Sequence, residues 1–265
     1  MRAVRRHLLV WWQAGIQAVR RDLQFRSQAI TTMITSVAEL GLALVPVLVV
    51  ASVAGTASGW SAPLALAVSG AYGISAALLD CFVGPNCARM DRYIREGELD
   101  LLLMRPVRTG FWAALRWVAP SELAAVFPGA GLLAAGLVLA RVHPHLGEVA
   151  LALGWAAVGT VAFALFWLNL SYLAFWMNGS EPIPYVVSSV RTAGQYPLAY
   201  FPRPVRVVLA TIVPAGLLGA VPVEALLGDG SPNLLVVAFV GLAALAGLTA
   251  LHWTVALRRY SGAST

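Results

Sequence analysis

The densest group of charged residues in this 265-residue chain lies in its first half. Its members are Asp91, Arg92, Arg95, Glu96, Glu98, Asp100 and Arg105. Two pairs of opposite charge, 91 with 95 and 92 with 96, are four positions apart, a spacing that stabilises one face of a helix. Leu99 and residues 101–104 give this helix an apolar side, Gly97 permits a bend, and Pro106 ends it. A solvated loop is the simpler alternative, but the leucine block favours a docking element for a partner protein.

A second group of polar residues could in principle bind a metal ion. His143, His145 and Glu148 form an H-x-H-x-x-E sequence beside a proline, and histidine and carboxylate side chains are common zinc ligands. Three polar residues beside a proline are more typical of a hydrated turn, so we predict no metal site. The two cysteines, Cys81 and Cys87, have no histidine at ligand spacing and are interpreted as reduced thiols.

Catalytic chemistry has little support in the sequence. All 18 basic residues are arginine, because lysine does not occur in the chain. This excludes a Walker A phosphate loop, a Schiff-base lysine and a Ser-Lys dyad. The sequence also contains no Gly-x-Ser-x-Gly elbow and no His-Glu-x-x-His pair. We therefore predict no catalytic residue and no cofactor bound by this chain.

The composition identifies the kind of environment in which these residues lie. Hydrophobic residues make up 59% of the chain and charged residues 11%, with a mean hydropathy of +0.77. Soluble domains keep about a quarter of their residues charged, so a large soluble domain is excluded. The chain is predicted to be an integral membrane protein. Its net charge of +6 is then typical of membrane-flanking loops and does not indicate nucleic-acid binding.

Apolar runs long enough to cross the bilayer occur six times, since a crossing takes about 20 helical residues. They cover residues 29–52, 62–83, 117–140, 149–174, 205–224 and 233–256. The odd-numbered connections hold only one arginine, Arg141, and the others lie in the tails, in the even-numbered connections or at their margins. The positive-inside rule then places both termini and the segments 84–116 and 175–204 in the cytoplasm.

These features predict an all-α membrane protein with six transmembrane helices and one domain. The domain spans residues 29–256, between cytoplasmic tails at 1–28 and 257–265. Within the first tail, residues 7–28 alternate apolar and polar positions at spacings of three and four, which indicates an amphipathic helix. Trp12 suits the headgroup level, and Arg20 and Arg21 can face anionic lipid, so we expect this helix to lie in the cytoplasmic interface. The alternative is a simple extension of the first span.

Two groups of residues within the predicted spans are candidates for a transport pathway. Glu39 lies near the middle of the first span, where a carboxylate must face a cavity, a partner or another helix. The fourth span carries a stripe of aromatic and polar residues that includes Phe166, Asn169 and Tyr172. Such stripes usually pack against other helices or sit in an interfacial belt, and the alternative is a surface for an apolar cargo.

Two sequence blocks resemble a known family. The string RYIREGELDLLLMRPV, from Arg92 to Val107, is similar to the RxGELDxLLLRP pattern in the cytoplasmic loop of six-span ABC-2 type transporter permeases. The string QYPLAYFPRPVRVVLATIVPAGLLGAVPVEALLG, from Gln195 to Gly228, resembles the fifth span of that branch and the re-entrant turn that follows it.

The resemblance implies that the chain is the membrane subunit of an exporter. ATP and magnesium would bind to a separate ATPase subunit, and a second permease chain, identical or different, would complete the pathway. In such permeases the N-terminal interfacial helix and the loop after the second span contact the ATPase, which implies that role for segments 7–28 and 91–104. The cargo would be a hydrophobic or amphiphilic small molecule, as in multidrug efflux, or a lipid or a glycan.

Two other functions remain open at this point. An ion-coupled secondary transporter or channel could use Glu39 as its titrating group. A subunit that assists assembly without transporting anything would depend on neither Glu39 nor the charged loop. The arginine-only basic set and the abundance of alanine, valine, glycine and leucine suggest a GC-rich bacterial genome, so we expect the protein in the bacterial cytoplasmic membrane.

Overall fold

The computed structural model describes residues 2–24, 26–104, 108–177 and 182–260. Within this part of the chain all regular structure is helical. The α-helices are α1 (Arg2–Gln24), α2 (Arg26–Ser58), α3 (Ala62–Phe82), α4 (Gly84–Cys87), α5 (Met90–Arg95), α6 (Glu98–Leu103), α7 (Thr109–Leu115), α8 (Val126–Leu139), α9 (Leu146–Tyr172), α10 (Pro182–Thr192), α11 (Arg203–Thr211), α12 (Ala220–Leu226) and α13 (Pro232–Arg259). Short 3₁₀ helices cover Pro120–Ala125, Leu173–Phe175, Ala193–Gln195, Leu198–Tyr200 and Pro214–Leu218.

Five helical segments in the described residues are long and apolar enough to cross a membrane. They are Ile30–Val53, Ala62–Phe82, Pro120–Leu139, Leu146–Phe175 and Pro232–Arg259. These segments confirm five of the six predicted spans to within a few residues. The all-helical membrane architecture follows from them.

Helix α3 lies at the centre of the bundle and packs closely against α8. Gly70 and Gly136 form the contact, and a Cβ atom built on Gly136 would lie 2.5 Å from the backbone nitrogen of Ala67. Gly129 also faces α3, next to Ile74, whereas Gly131 on the same helix faces open space. Glycine is required here because the two helix backbones approach too closely for any side chain.

The bundle has two ends of different character. At one end, called the turn end, lie the turns at 59–61, 140–145 and 227–231. Gly136 approaches Pro63, and Gly228 and Gly230 approach Glu148 and Leu151, which brings these turns together. The opposite end, called the loop end, holds α1 and helices α4 to α7. Trp253 near the end of α13 packs against Gly110, so the last described helix also ends there.

The predicted fifth span at 205–224 is wrong as a continuous helix. Residues in this region form α11, the 3₁₀ helix Pro214–Leu218 and α12. The carbonyl of Leu218 accepts a hydrogen bond from Ser75 Oγ at 2.9 Å, in the middle of the bundle. From there α12 returns toward Leu226, which packs beside Trp155 near the turn end. Residues 203–226 therefore form a hairpin that enters and leaves the bundle at the turn end.

The chain reaches the turn end through residues 182–200 instead. Arg191 of α10 pairs with Asp80 near the loop end, and Ser69 Oγ donates to the Gln195 carbonyl at mid-depth. Tyr200 then donates its hydroxyl to the Trp60 carbonyl at the turn end, at 3.3 Å. The sequence assigned 175–204 to a single segment on one side of the membrane, whereas residues 191–200 run along α3 from Asp80 to Trp60.

Proline placement explains the first error, and polar composition explains the second. The second half of the hairpin is apolar because protein surrounds it, with Leu218, Ala220 and Val223 fully buried, whereas Val207 and Ile212 in its first half are exposed. Three prolines at 204, 214 and 222 prevent one long helix. The segment 182–200 does not read as a span because it carries serines, Arg191 and Gln195 among its apolar residues. Arg203 and Arg206 therefore lie after the point at which the chain has reached the turn end. The unequal distribution of arginines between the two ends depends on the other arginines.

Candidate functional site

The charged sequence between Asp91 and Asp100 forms two short helices at the loop end. Helix α5 ends at Arg95 and α6 begins at Glu98, and between them Gly97 adopts a left-handed conformation with φ of 70°. Only glycine reaches this conformation without strain, which fixes the bend. The single bent helix of the sequence prediction is therefore two helices, and the bend falls at the predicted glycine.

The predicted charge pairs form a network on the exposed side of these helices. Arg95 Nε lies 3.1 Å from Asp91 Oδ2, and Arg92 Nε lies 3.2 Å from Glu96 Oε2. Arg92 also bridges the bend, with Nη2 at 2.8 Å from Glu98 Oε1. Because these groups are solvated, the network contributes little stability and mainly presents a charged surface. Asp100 lies on α6, and Arg105 lies outside the described residues.

The apolar side of α6 is narrower than predicted. Leu99 and Leu102 are buried in the core, whereas Leu101, Leu103 and Met104 are 59%, 45% and 75% exposed. An α-helix has 3.6 residues per turn, so within residues 99–104 only positions three apart can share the inward face. Leu101, Leu103 and Met104 are therefore exposed at the loop end, beside the charged network.

Trp117 connects α5 to the start of the next membrane segment. Its Nε1 donates a hydrogen bond to Tyr93 Oη at 2.6 Å, and Tyr93 is fully buried. The guanidinium groups of Arg89 and Arg116 lie 4.4 and 4.8 Å from the centre of the indole ring, within cation–π range. Burial raises the pKa of Tyr93 above its ordinary value, so this hydroxyl remains a neutral acceptor.

Asn86 completes the same connection. Its Nδ2 donates to the carbonyls of Phe82 at 2.9 Å and Trp117 at 2.8 Å, and its Oδ1 accepts the Trp117 amide at 2.8 Å. This buried side chain thereby joins the end of α3 to the backbone that leads into α8. Asn86, Tyr93 and Trp117 are here called the Trp117 joint. Sequence reasoning missed it because its members are 24 and 31 residues apart.

Helix α1 is fastened to the same region. Trp11 Nε1 donates to the Leu115 carbonyl at 3.0 Å, and Arg21 Nη2 donates to the Val118 carbonyl at 3.0 Å. The Ser121 amide donates to Asp22 at 3.1 Å. The helix therefore packs along residues 115–121 and is not a simple extension of α2. Of the residues predicted to face lipid, Trp12 and Arg20 are exposed, whereas Arg21 also binds protein.

A polar cavity of about 300 Å³ lies between α2, α3, the 3₁₀ helix Pro120–Ala125 and α10. Its lining includes three acidic residues, Glu39, Asp80 and Glu122, and one basic residue, Arg191. Asp80 Oδ1 and Arg191 Nη1 are 2.6 Å apart, and the Arg191 side chain is only 17% exposed. The predicted pathway acid Glu39 thus faces a cavity in the half of the bundle nearest the loop end.

The aromatic residues of the fourth span lie elsewhere. Asn169 donates to Thr249 Oγ1 at 2.7 Å and lies 2.8 Å from His252 Nδ1, which joins α9 to α13. Tyr172 is buried with its ring 5.1 Å from Trp253, and Phe166 stacks near Phe163 at 5.6 Å. Asn169 and Tyr172 lie at the contact between α9 and α13, and neither they nor Phe166 line the Glu39 cavity.

The histidine turn has a structural role. Glu148 Oε2 accepts a hydrogen bond from the His145 amide at 2.7 Å, and the two residues form a capping box at the start of α9. Among the described residues, no group of three or more histidine, cysteine or acidic side chains could hold a metal ion. Cys81 and Cys87 are both buried and unpaired. Burial raises the pKa of Cys87 to about 12.

The family comparison bears on this arrangement of helices. Residues 37–264 match the family model described as ABC-2 family transporter protein. The chain belongs to the ABC-2 transporter family. The resemblance to ABC-2 type permeases is thereby confirmed. Comparison with curated proteins and with solved structures gives no match.

Membership fixes the general role of this ABC-2 chain. It is a multi-pass membrane protein and the permease component of an ABC transporter. Permease components of this family are generally not catalytic and usually work with an ATP-binding subunit. The match begins within α2, so α1 lies outside it, whereas residues 115–121, which α1 contacts, lie within it.

Proposed function

We propose that this chain is the membrane half of an ATP-driven exporter in a bacterial cytoplasmic membrane. A separate ATPase subunit binds ATP and magnesium, and closure of two such subunits moves the loop end. A second permease, identical or different, completes the pathway. The cargo is a hydrophobic or amphiphilic small molecule, a lipid or a glycan. The observation that carries the proposal is the exposed surface of α5 and α6 in a chain of the ABC-2 family.

The geometry of the loop end supports this coupling role. The surface combines the charged network with exposed Leu101, Leu103 and Met104, a composition suited to a protein partner. Behind it, the Trp117 joint links α5 to both α3 and the start of the α8 segment. A push on α5 would therefore reach two membrane helices through short, buried hydrogen bonds. ATP-driven motion needs such a rigid connection between partner and pathway.

The proposed orientation places the loop end in the cytoplasm. Arginines are concentrated at that end, in α1, in residues 89–116 and at the end of α13, as the positive-inside rule requires. With residues 182–200 as the fifth crossing, the chain crosses six times and both termini are cytoplasmic. The 203–226 hairpin then enters the membrane from outside and returns.

The second permease is supported by α2. Glu39 is exposed at the open side of the cavity, and it is the one charged residue of the apolar span Ile30–Val53, which packs little of its surface against the rest of the chain. A carboxylate left exposed to lipid at the centre of a helix costs several kcal/mol, roughly 3. A partner chain on this side would enclose the Glu39 cavity and make it part of a shared pathway.

The coupling proposal is tested by reversing charge at the docking surface. We expect the Glu98→Arg, Asp100→Arg double variant to insert normally but to retain less than a tenth of the ATPase that co-purifies with the parent chain. Asp229→Arg changes an exposed acid at the turn end and serves as the control, with full retention expected. Equal ATPase retention by the double variant and the parent would contradict the proposal.

An ion-coupled carrier is the second candidate, because Glu39 faces a cavity shared with Asp80 and Glu122. Under this alternative Glu39→Gln abolishes transport, and transport by the parent protein persists without ATP. Under the exporter proposal, transport by the parent stops when ATP is depleted. A flux assay with and without ATP in membrane vesicles separates the two.

A further inference from the structure

An open groove runs along α1 beside the hydrogen bonds that fasten this helix to residues 115–121, and Trp11 and Val118 are among its lining residues. It has a volume of about 520 Å³, within the range typical of ligand sites, roughly 300–1,000 Å³. Its walls are almost wholly apolar, and they are formed by α1, the end of α3 and the start of the α8 segment. The residues that matter to the argument are Trp12, Gly15, Ile16, Arg20, Phe82 and Leu123.

The groove cannot close by a simple approach of α1 to the bundle. Trp11, Arg21 and Asp22 hold the helix to residues 115–121 at fixed distances, and Ala18 is already buried against Cys81 and Val118. Gly15 leaves open space where a side chain would project. An apolar space of this size, held open by hydrogen bonds on one side, requires an apolar occupant.

The position of the groove indicates what that occupant is. Phe82 is the last residue of α3 and Leu123 precedes α8, so the groove lies at the depth where two membrane-spanning segments end. Trp12 beside it is 64% exposed, as expected for an indole at the headgroup level. The occupant therefore comes from the leaflet at the loop end and carries an acyl chain.

The charge at the groove's edge selects the headgroup. Among the described residues that line the groove, Arg20 is the one that carries a charge, and it is exposed, so its guanidinium can reach a phosphate at the lipid surface. Arginine recognises phosphate through paired hydrogen bonds. Arg21 and Arg116 line the polar cavity on the opposite side of α1 and add positive potential.

We propose that this groove binds one anionic phospholipid, with an acyl chain between α1 and Phe82 and the headgroup phosphate at Arg20. The lipid would fasten α1 to the membrane surface on one side while residues 115–121 fasten it on the other. The proposal does not depend on which face of the membrane is cytoplasmic or on the identity of the ATPase.

Two variants separate the chain site from the headgroup site. Gly15→Phe fills the groove from α1, and the open space at this position allows the protein to fold. Its control is Gly41→Phe, because Gly41 on α2 also faces open space and lies outside the groove. Arg20→Gln removes the charge at the edge, and its control Arg203→Gln removes an exposed arginine at the turn end.

The measurement is native mass spectrometry of the purified protein with phosphatidylglycerol or phosphatidylcholine of identical chains. The parent protein should retain one phosphatidylglycerol, about fivefold more than phosphatidylcholine, as expected for one arginine near a membrane anion. Gly15→Phe should lose retention of both lipids, and Arg20→Gln should lose only the preference. Both control variants should behave like the parent.

Three results would overturn the proposal. The first is undiminished lipid retention by Gly15→Phe, and the second is an unchanged preference in Arg20→Gln. The third is a protein occupant, detected when a photoreactive residue at position 16 crosslinks to another polypeptide in native membranes and not to lipid.

Discussion

Asn86 is the residue on which the connection between the loop end and the membrane helices depends most. Replacing it with alanine leaves two carbonyls and one amide without their partners in a buried site. Each unsatisfied buried group costs about 1–3 kcal/mol, so we expect Asn86→Ala to lose about 2–5 kcal/mol of stability. Thermal unfolding in detergent measures this loss.

The matched control for this prediction is Asn233→Ala, because Asn233 is exposed at the start of α13. Its melting temperature should stay within about a degree or two of the parent, as surface substitutions usually do. If Asn86→Ala melted like this control, the Trp117 joint would not hold the loop end.

The two natural cysteines should be silent toward thiol reagents in the folded protein. Burial raises the pKa of Cys87 to about 12, so almost no reactive thiolate exists at pH 8, and Cys81 is fully buried. Because the folded pKa lies far above the working range, the thiolate remains a very small fraction of Cys87, and labelling by maleimide should stay negligible between pH 7 and 9. Both thiols should label after denaturation, and labelling of the folded protein at pH 8 would contradict the burial.

At the residue scale, the sequence revealed local relationships and missed distant ones. The pairs of Asp91 with Arg95 and Arg92 with Glu96 follow from helical spacing alone. The Trp117 joint depends on how α5 folds back onto residue 117, which no local spacing encodes. Arg105 lies outside the described residues, so its predicted coupling role stays a prediction.

At the scale of elements, the contact between α3 and α8 provides the clearest prediction. Gly136→Ala places a Cβ against the backbone of α3 and should destabilise the protein by about 1–3 kcal/mol through overpacking. Gly131→Ala on the same helix faces open space and should be neutral or stabilising by up to about 1 kcal/mol. Chemical or thermal unfolding of the two variants side by side tests the contact, and equal stabilities would contradict it.

The hairpin and α10 show where reasoning from hydropathy fails. Residues between 205 and 224 have the length and composition of a span, but residues 214–220 and Val223 are apolar because the bundle encloses them, whereas Val207 and Ile212 are exposed. Residues 182–200 run between the two ends with Arg191 and Gln195 turned toward protein partners. Hydropathy reports burial, and it does not distinguish lipid from surrounding protein.

At the scale of the whole molecule, the proposed orientation can be tested with single cysteines, because the natural thiols should be silent. Leu101→Cys lies at the loop end and Asp229→Cys at the turn end, and both positions are exposed. A membrane-impermeant maleimide should label Asp229→Cys on intact cells and Leu101→Cys only after permeabilisation. Labelling of both from the same side would show that residues 182–200 do not complete a crossing.

The family and most of the architecture could be predicted because they depend on long apolar runs, arginine distribution and two sequence blocks. The cargo could not, because the Glu39 cavity is lined from α2, α3, the segment before α8 and α10, which only the fold brings together. The second permease would add further lining residues that one chain does not contain.

The central claim is that this permease works with a separate ATPase bound at the loop end. Purification from native membranes in mild detergent, with the stoichiometry of co-purifying proteins read by mass spectrometry, tests it most directly. We predict one P-loop ATPase for each permease chain, with or without a second kind of permease, and crosslinks from that ATPase to residues 91–104. A chain that purifies alone or only with itself would contradict the account.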